Sequence, residues 1–437
     1  MAINTDQYRQ MDRRSIWHPY TRHSAVEAGE FPVITRGEGV YLFDTEGNKY
    51  VDAISSWWAC NLGHSHPRLV EAIIRQAREL QHSILGNLSN PRAIELAAEL
   101  VSLFSDHRHV LFASDGASAV EAALKIAIQY WHNLGRSERN RFASLENAYH
   151  GDTLGAVSVG YLKGFHSPFK PVLFPAYRAE SPCCGRCQHG KEPASCHQEC
   201  FGSMLAIFDQ YADELAAVII EPLCQGAAGM RIYPPEYLRL LDQLCKEKDV
   251  LLIVDEIAVG LGRTGKMFAF EHGDVDPDIV CLGKGLAGGY LPISATVVKD
   301  KIFETFRDQP EDCTFYHGHT FSGNPICAAS ALETLRIYNE EAIVEQAEQK
   351  GCLLKDQMAP FSDLPHVVDV RCLGMIGAVE LDEEPWRAQR IRERLLGDGI
   401  LIRPLGNVVY LMPPLITPED ILTQTVEALY RAVEECS

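Results

Sequence analysis

Two short apolar runs, each stopped by a charged residue, constrain this chain more than any other feature. Residues 250–254, VLLIV, are unbroken apolar sequence, the pattern of a strand buried on both faces. The run stops at Asp255-Glu256. A second run, over residues 278–282, ends in Gly283-Lys284-Gly285. Strands buried on both faces belong to parallel α/β sheets, whose ligands lie beyond the carboxyl ends of the strands. The two strands therefore deliver Asp255 and Lys284 to one ligand site. A lysine flanked by glycines is open to close approach, and an aspartate there would stabilise a protonated ring nitrogen. That pair meets the demand of pyridoxal 5′-phosphate (PLP) chemistry, a Schiff-base lysine with an acidic partner for the pyridinium. Taken singly, each has a plainer reading: a surface lysine in a glycine-rich loop, an aspartate capping a helix. Together, at the ends of two buried strands, they favour chemistry.

The chain has 437 residues, enough for a large core and for a major and a minor domain. A formal net charge of −19, with no basic stretch to offset it, argues against a nucleic-acid or anionic-membrane partner. No apolar run approaches the roughly 18 residues of a membrane span. The opening MAINTDQYRQMDRR lacks the apolar core of a signal peptide, so the expected compartment is the cytoplasm.

Along the chain, VYLFDTEGNKYVDAISSWW reads as a hairpin around residues 44–48 that runs into Trp57-Trp58. Adjacent residues of a strand face opposite sides, so one tryptophan can line a cavity while the other packs in a core or at a subunit contact. Pro67 then opens a helix. Residues 110–113 read as a strand and 118–131 as a helix, joined by Ser114-Asp115-Gly116-Ala117-Ser118. Small residues at a helix start leave backbone N–H groups free for an anion, although such turns also occur without a ligand. Tyr149 follows the next strand, where an aromatic can stack on a flat ring or merely anchor a loop. Thr320 and Ser322 precede a helix near Pro325, where a hydroxyl can reach a phosphate or cap the helix. After about residue 330 the pattern becomes that of a small α+β domain, with Arg403 at the end of a short strand.

In this order, DGASAVEAALK, NAYHGDT, IIEP, VDEI, GRTG, GKGLAGG and HGHTFSGNP resemble the class III (ω-) aminotransferases, over nearly the whole chain. The resemblance implies an α/β enzyme of PLP-dependent transferase fold type I. A large domain with a mostly parallel sheet flanked by helices is expected over residues 61–330. A small α+β domain would span 331–437, with residues 1–60 contributing to it and to the active site. It also implies a homodimer with shared active sites and small-molecule substrates. Lys284 would carry the cofactor as a Schiff base, Asp255 would keep the pyridine nitrogen protonated, and Tyr149 would lie against the ring. Gly116 and Ala117 would bind the phosphate through backbone N–H groups, with Thr320 reaching it from the other subunit. Tyr20, Trp57, Trp58, Tyr149 and Gly318 would line the substrate pocket, Tyr20 also serving catalysis, and Arg403 would face a substrate carboxylate. The sequence departs from the family at Ala117, where Ser is usual.

Three further stretches, IWHPYT, SSWWACNLGHSHP and ILIRPLGNVVYLMPP, resemble the branch that aminates 8-amino-7-oxononanoate in biotin synthesis. His319 departs from that branch, where Pro is usual. S-adenosylmethionine is the expected amino donor. The alternative is an ω-aminotransferase acting on 4-aminobutyrate, ornithine or lysine with a keto acid.

Five of the fourteen cysteines crowd into SPCCGRCQHGKEPASCHQEC. Cys184 and Cys187 form a CxxC, and Cys196 and Cys200 follow. The surrounding Gly, Pro, Ser and charged residues make no apolar core, so the loop needs another source of order. Four thiolates would satisfy a structural zinc or an iron–sulfur cluster. The spacing is looser than that of two CxxC knuckles, and free thiols in a cytosolic loop are the other reading.

Overall fold

The computed structural model describes residues 4–28, 31–192, 195–307, 312–382 and 384–436. Seven strands build its centre: β1 (Arg108–Ala113), β2 (Arg141–Leu145), β3 (Tyr177–Ala179), β4 (Leu215–Ile220), β5 (Leu251–Asp255), β6 (Ile279–Leu282) and β7 (Ser294–Lys299). Their order across the sheet is β1-β7-β6-β5-β4-β2-β3. The pairs from β6 to β3 are parallel, and β7 alone runs antiparallel to both its neighbours. Every residue of β4, β5 and β6 is buried. That is why these strands read as continuous apolar runs: helices cover both faces of the sheet, so alternation has nothing to separate. The sheet is the mostly parallel one that the sequence implies.

The helices begin where their sequences say they should. Pro67–Glu79, Pro91–Ser102 and Pro325–Glu340 each carry proline in the first turn, where its missing N–H costs nothing. Asn90 and Asn324 cap the last two through their side-chain oxygens. Helix Pro325–Glu340 packs on the other two.

Around this body lie two smaller sheets. The hairpin Tyr41–Asp44 and Lys49–Asp52 pairs in parallel with Ile400–Leu401, tying the N-terminal segment to the C-terminal region. Val367–Leu373, Ile376–Leu381 and Val408–Leu411 form an antiparallel sheet beside helices Ile343–Met358 and Glu419–Glu435. Among the described residues, no helix is long and apolar enough to cross a membrane.

One guanidinium joins these parts. Arg263, of the GRTG segment, is 1% exposed. It donates to the carbonyls of Met375 (3.3 Å) and Pro413 (2.6 Å) in the C-terminal part. It also donates to Ser55 Oγ (3.3 Å) and Asn61 Oδ1 (2.8 Å) in the N-terminal part. Burial pulls its pKa down to about 10, so the charge is held at a cost that these acceptors offset. Replacing Arg263 with Leu strands several buried acceptors at ~1–3 kcal/mol each. The expected loss is about 3–5 kcal/mol in urea unfolding, comparable to breaking a buried ion pair. An unchanged midpoint would show that the junction does not depend on this side chain.

Candidate active site

β5 and β6 lie side by side and in parallel, with Asp255 opposite Cys281. Asp255 and Lys284 therefore emerge together at the carboxyl end of the sheet, on the wall of a cavity of ≈ 480 Å³. Asp255 is 5% exposed. Its Oδ2 accepts a hydrogen bond from His150 Nδ1 at 2.8 Å, and its Oδ1 accepts from the Ile257 N–H at 3.1 Å. A buried carboxylate is tolerable only with such donors. His150 thus orients Asp255 from behind, a role that the spacing of NAYHGDT could not reveal.

Lys284 sits at a backbone φ of +44°, a left-handed conformation that costs a non-glycine residue on the order of 1 kcal/mol. Next to it, Gly285 lies so close to Asn61 that a Cβ there would come 2.4 Å from Asn61 Nδ2. Burial lowers the Lys284 pKa, against the opposing pull of Asp255 and Glu221. Its Nζ lies 5.2 Å from the centre of the Trp58 ring. Glu221 is a second buried carboxyl on the cavity wall, pushed up to about 7 by burial. It accepts from the N–H groups of Tyr149 (2.9 Å) and Gly226 (3.0 Å), and so fixes the loop that carries Tyr149.

The other end of the cavity is shaped for an anion. Helix Gly116–Asn133 points its N-terminus inward, and the Asp115 side chain caps it at Ser118 N. The first-turn N–H groups of Gly116 and Ala117 have no partner within the helix. A Cβ on Gly116 would lie 2.8 Å from Ile257, and one on Gly151 would lie 2.4 Å from Ala117 Cβ, so close backbone approach demands glycine at both. Thr153 Oγ1 and His150 Nε2, both on residues of the cavity wall, are buried and have no hydrogen-bond partner. Two orphaned polar atoms, a helix N-terminus and a desolvated lysine fit a phosphorylated pyridine ring.

At the mouth, Tyr20 and Tyr149 both donate to Asp152, at 2.5 and 2.9 Å. Burial raises both phenols, that of Tyr20 to about 12, so they remain donors. Burial would raise Asp152 too, but hydrogen bonds from His166, Tyr20 and Tyr149 outweigh it and keep that carboxyl below its ordinary value. Tyr20 meets Trp57 edge-on at 5.8 Å, and the Arg403 guanidinium lies 4.2 Å from the Trp57 ring centre. Tyr20, Trp57, Trp58, Tyr149 and Arg403 are thus gathered around one opening. Asp152, His150, His166, Glu221 and Thr153 join them without having been singled out by the sequence. Four of the five lie inside the NAYHGDT and IIEP motifs, which carry the family resemblance without assigning these residues a role; only His166 lies outside them.

The two tryptophans are not on a strand. The hairpin ends at Asp52, and Ser55–Trp58 forms a turn in which all four residues have positive φ (49°, 44°, 71° and 69°). Asp52 holds it by accepting from Ser56 N and Ser56 Oγ, at 2.9 and 2.7 Å. Trp58 is buried with its Nε1 on the Tyr410 hydroxyl at 3.1 Å, whereas Trp57 is 39% exposed.

Thr320 and Gly318 are not brought to this cavity: both are exposed, in the irregular segment before helix Pro325–Glu340. The cysteine expectation requires correction. Pro193 and Ala194 lie outside the described residues, but all five cysteines are described and free. No three of Cys184, Cys187, Cys196 and Cys200 bring their sulfurs within 4.8 Å of one another, so they present no tetrahedral ligand set. Order comes from elsewhere. Arg186 pairs with Glu380, whose second oxygen takes Arg371 at 2.6 Å, and Gly185 lies against Asp369. Burial, Glu180 and the neighbouring thiols of Cys184 and Cys196 push the Cys200 thiol up to about 12.

A desolvated lysine beside a secured buried carboxylate, with an anion cradle across from them, defines a PLP-dependent transferase of fold type I. The model of the class-III aminotransferase family matches residues 23–433, and the chain belongs to that family. It is 41% identical to the adenosylmethionine-8-amino-7-oxononanoate aminotransferase of Methanocaldococcus jannaschii, over 100% of this chain and 99% of that one. The crystal structure of the M. jannaschii enzyme superposes with a TM-score of 0.93 at 39% identity, covering 99% of both chains. A PLP-bound amine transaminase from an uncultivated Pseudomonas species gives 0.92 at 32% identity, over 97% of this chain and 99% of that one.

The lowered Lys284 pKa has a consequence for the cofactor-free protein. The unfolded lysine binds its proton below its ordinary pKa near 10.5, where the folded one does not until the pH falls further. Lys284 therefore subtracts stability as pH falls through that window, and stability returns as pH rises towards 10.5. Cofactor-free Lys284→Met should melt higher than the cofactor-free wild type at pH 7–8, with the gap closing towards pH 10. A gap that stays constant with pH would contradict a desolvated lysine.

Proposed function

We propose that this aminotransferase converts 8-amino-7-oxononanoate to 7,8-diaminononanoate, a step of biotin synthesis, with S-adenosylmethionine as amino donor. The observation that carries the reading is the shape of the mouth. Trp58, Tyr20 and Trp57 make an aromatic wall, suited to a long methylene chain, that runs from Lys284 to Arg403. A long-chain keto acid with its reacting carbons at one end and a carboxylate at the other matches that spacing of charge. The full-length relative from M. jannaschii carries that activity in its name.

Lys284, Asp255 and Tyr149 would hold the PLP ring, and the N–H groups of Gly116 and Ala117, with the Thr153 hydroxyl, its phosphate. Bound PLP supplies an electron sink for the carbanion that forms at the amine-bearing carbon. Lys284 Nζ, its hold on a proton loosened by desolvation, takes the proton from that carbon and returns it during the exchange. Asp255, kept in place by His150, holds the proton on the ring nitrogen. Asp152 has lone pairs to spare beyond its two tyrosines, and it accepts from the incoming ammonium group. Trp58 covers Lys284 and keeps water from the reacting carbon. Arg403 pairs with the substrate carboxylate. We assign Thr320 and Gly318 to the site of a second copy, because their exposure on this chain leaves them free to complete a partner's phosphate end in a homodimer.

A donor screen with 8-amino-7-oxononanoate as fixed acceptor tests the reading. S-adenosylmethionine should give diaminononanoate with the wild type and none with Lys284→Ala. Turnover only with 4-aminobutyrate, ornithine or lysine would reassign the substrate, and wild-type rates in Lys284→Ala would overturn the chemistry. Arg403→Ala should raise KM for the acceptor, costing ~1.5–3 kcal/mol in kcat/KM for a lost charge-assisted bond, and leave cofactor retention intact. Equal losses for acceptors with and without a carboxylate would make Arg403 structural.

A further inference from the structure

The opposite end of the sheet carries a cluster that the chemistry of the pocket does not use. His107 and His109 flank Arg108 at the start of β1, and side chains two apart on a strand share a face. β1 pairs antiparallel with β7, His109 opposite Val298 and Arg108 opposite Lys299. The ladder continues one step further, since the Asp300 N–H donates to the His107 carbonyl at 3.1 Å. The backbone register therefore brings Asp300, the first residue after β7, against both imidazoles. Asp300 Oδ1 lies 2.9 Å from His109 Nε2 and 3.9 Å from His107 Nε2. One ligand atom from each of the three residues lies within 4.8 Å of the other two, and no other His, Cys, Asp or Glu trio among the described residues does this.

These distances suit an ion. Bonds of ~2.0–2.1 Å in a tetrahedron place neighbouring ligand atoms ~3.4 Å apart, and the two measured separations straddle that value. The ligands are also prepared. The His109 ring lies flat on Phe303, with centroids 3.7 Å apart and planes 13° apart, and His107 meets His109 edge-on at 4.8 Å. His107 is exposed and Asp300 partly so, which leaves the remaining coordination positions to water. Two imidazoles and one carboxylate select borderline divalent transition metals over Mg²⁺ or Ca²⁺, which prefer all-oxygen sites.

We propose that His107, His109 and Asp300 form a binding site for a divalent transition-metal ion of the Zn²⁺ type. The ion would staple the edge strand β1 to the end of β7. The site lies roughly 20 Å from the anion cradle, the length of a six-residue strand, so its role is structural.

Zn²⁺ titration of tag-free holoenzyme tests this, with thiols first blocked by N-ethylmaleimide so that the cysteine loop does not compete. The wild type should bind one Zn²⁺ per chain and melt higher with Zn²⁺ than without. His107→Ala and Asp300→Asn should each weaken binding about tenfold or more and lose the Zn²⁺-dependent rise in melting temperature. Both should keep the wild-type cofactor absorbance and aminotransferase rate, which shows that they are folded. Equal affinity in wild type and both variants, or no Zn²⁺ bound by the wild type at tens of micromolar, would overturn the site.

Discussion

The structure depends on one buried cation that is not catalytic. The Arg263 guanidinium holds carbonyls of the C-terminal part with one nitrogen, and Ser55 and Asn61 of the N-terminal part with another. Both N-terminal contacts lead directly to the pocket. Ser55 opens the left-handed turn that places Trp58 over Lys284. Asn61 packs against Gly285, the neighbour of Lys284 in the chain. A planar, multiply donating group is needed because the acceptors come from three directions, a task that a lysine ammonium would meet less well. Segments far apart in sequence are thereby held in one geometry around the reacting lysine.

The pocket is an exercise in controlled desolvation. Glu221 and Asp255 are buried and Lys284 is partly so, and each is treated differently. Burial lowers the Lys284 pKa, against the opposing pull of Asp255 and Glu221. Glu221 is buried with two N–H donors and still holds a proton to near neutrality. Asp255 receives an imidazole and an N–H group. Asp152, at the rim, is held ionised by its hydrogen bonds. Under the proposed function, these different surroundings would suit Lys284 to the role of base, Asp255 to that of pyridinium partner and Asp152 to that of ammonium acceptor.

Under the proposed function, substrate choice would reside elsewhere than cofactor chemistry. Lys284, Asp255, Gly116 and Tyr149 come from the ends of the central sheet. Tyr20, Trp57 and Arg403 come from the N-terminal segment and the C-terminal domain, and they meet only at the mouth. Arg186, in the cysteine-rich loop, ties the central body to the C-terminal part through Glu380. The loop's order rests on an ion-pair network with Arg371 and Asp369, not on its cysteines.

By itself the sequence determined the parallel sheet, because strands buried on both faces must be apolar throughout, and it marked the charged residues that end them. It also located the helix N-terminus at Gly116, since small residues and a capping aspartate leave their own local pattern. It misled at Trp57-Trp58, where a hairpin pattern implied alternation. Positive φ at four successive residues has no period to read and persists only because Asp52 and Met412 hold it from outside. It left the cysteines open between a ligand set and free thiols, because their spacing says nothing of where their side chains converge. The partnership of His150 with Asp255 and of Asp152 with Tyr20, the cation at Arg263 and the meeting of His107 with Asp300 were decided by the tertiary structure alone. Each joins residues from separate segments, and a hydrogen bond between them has no signature until the sheet has set their register and distance.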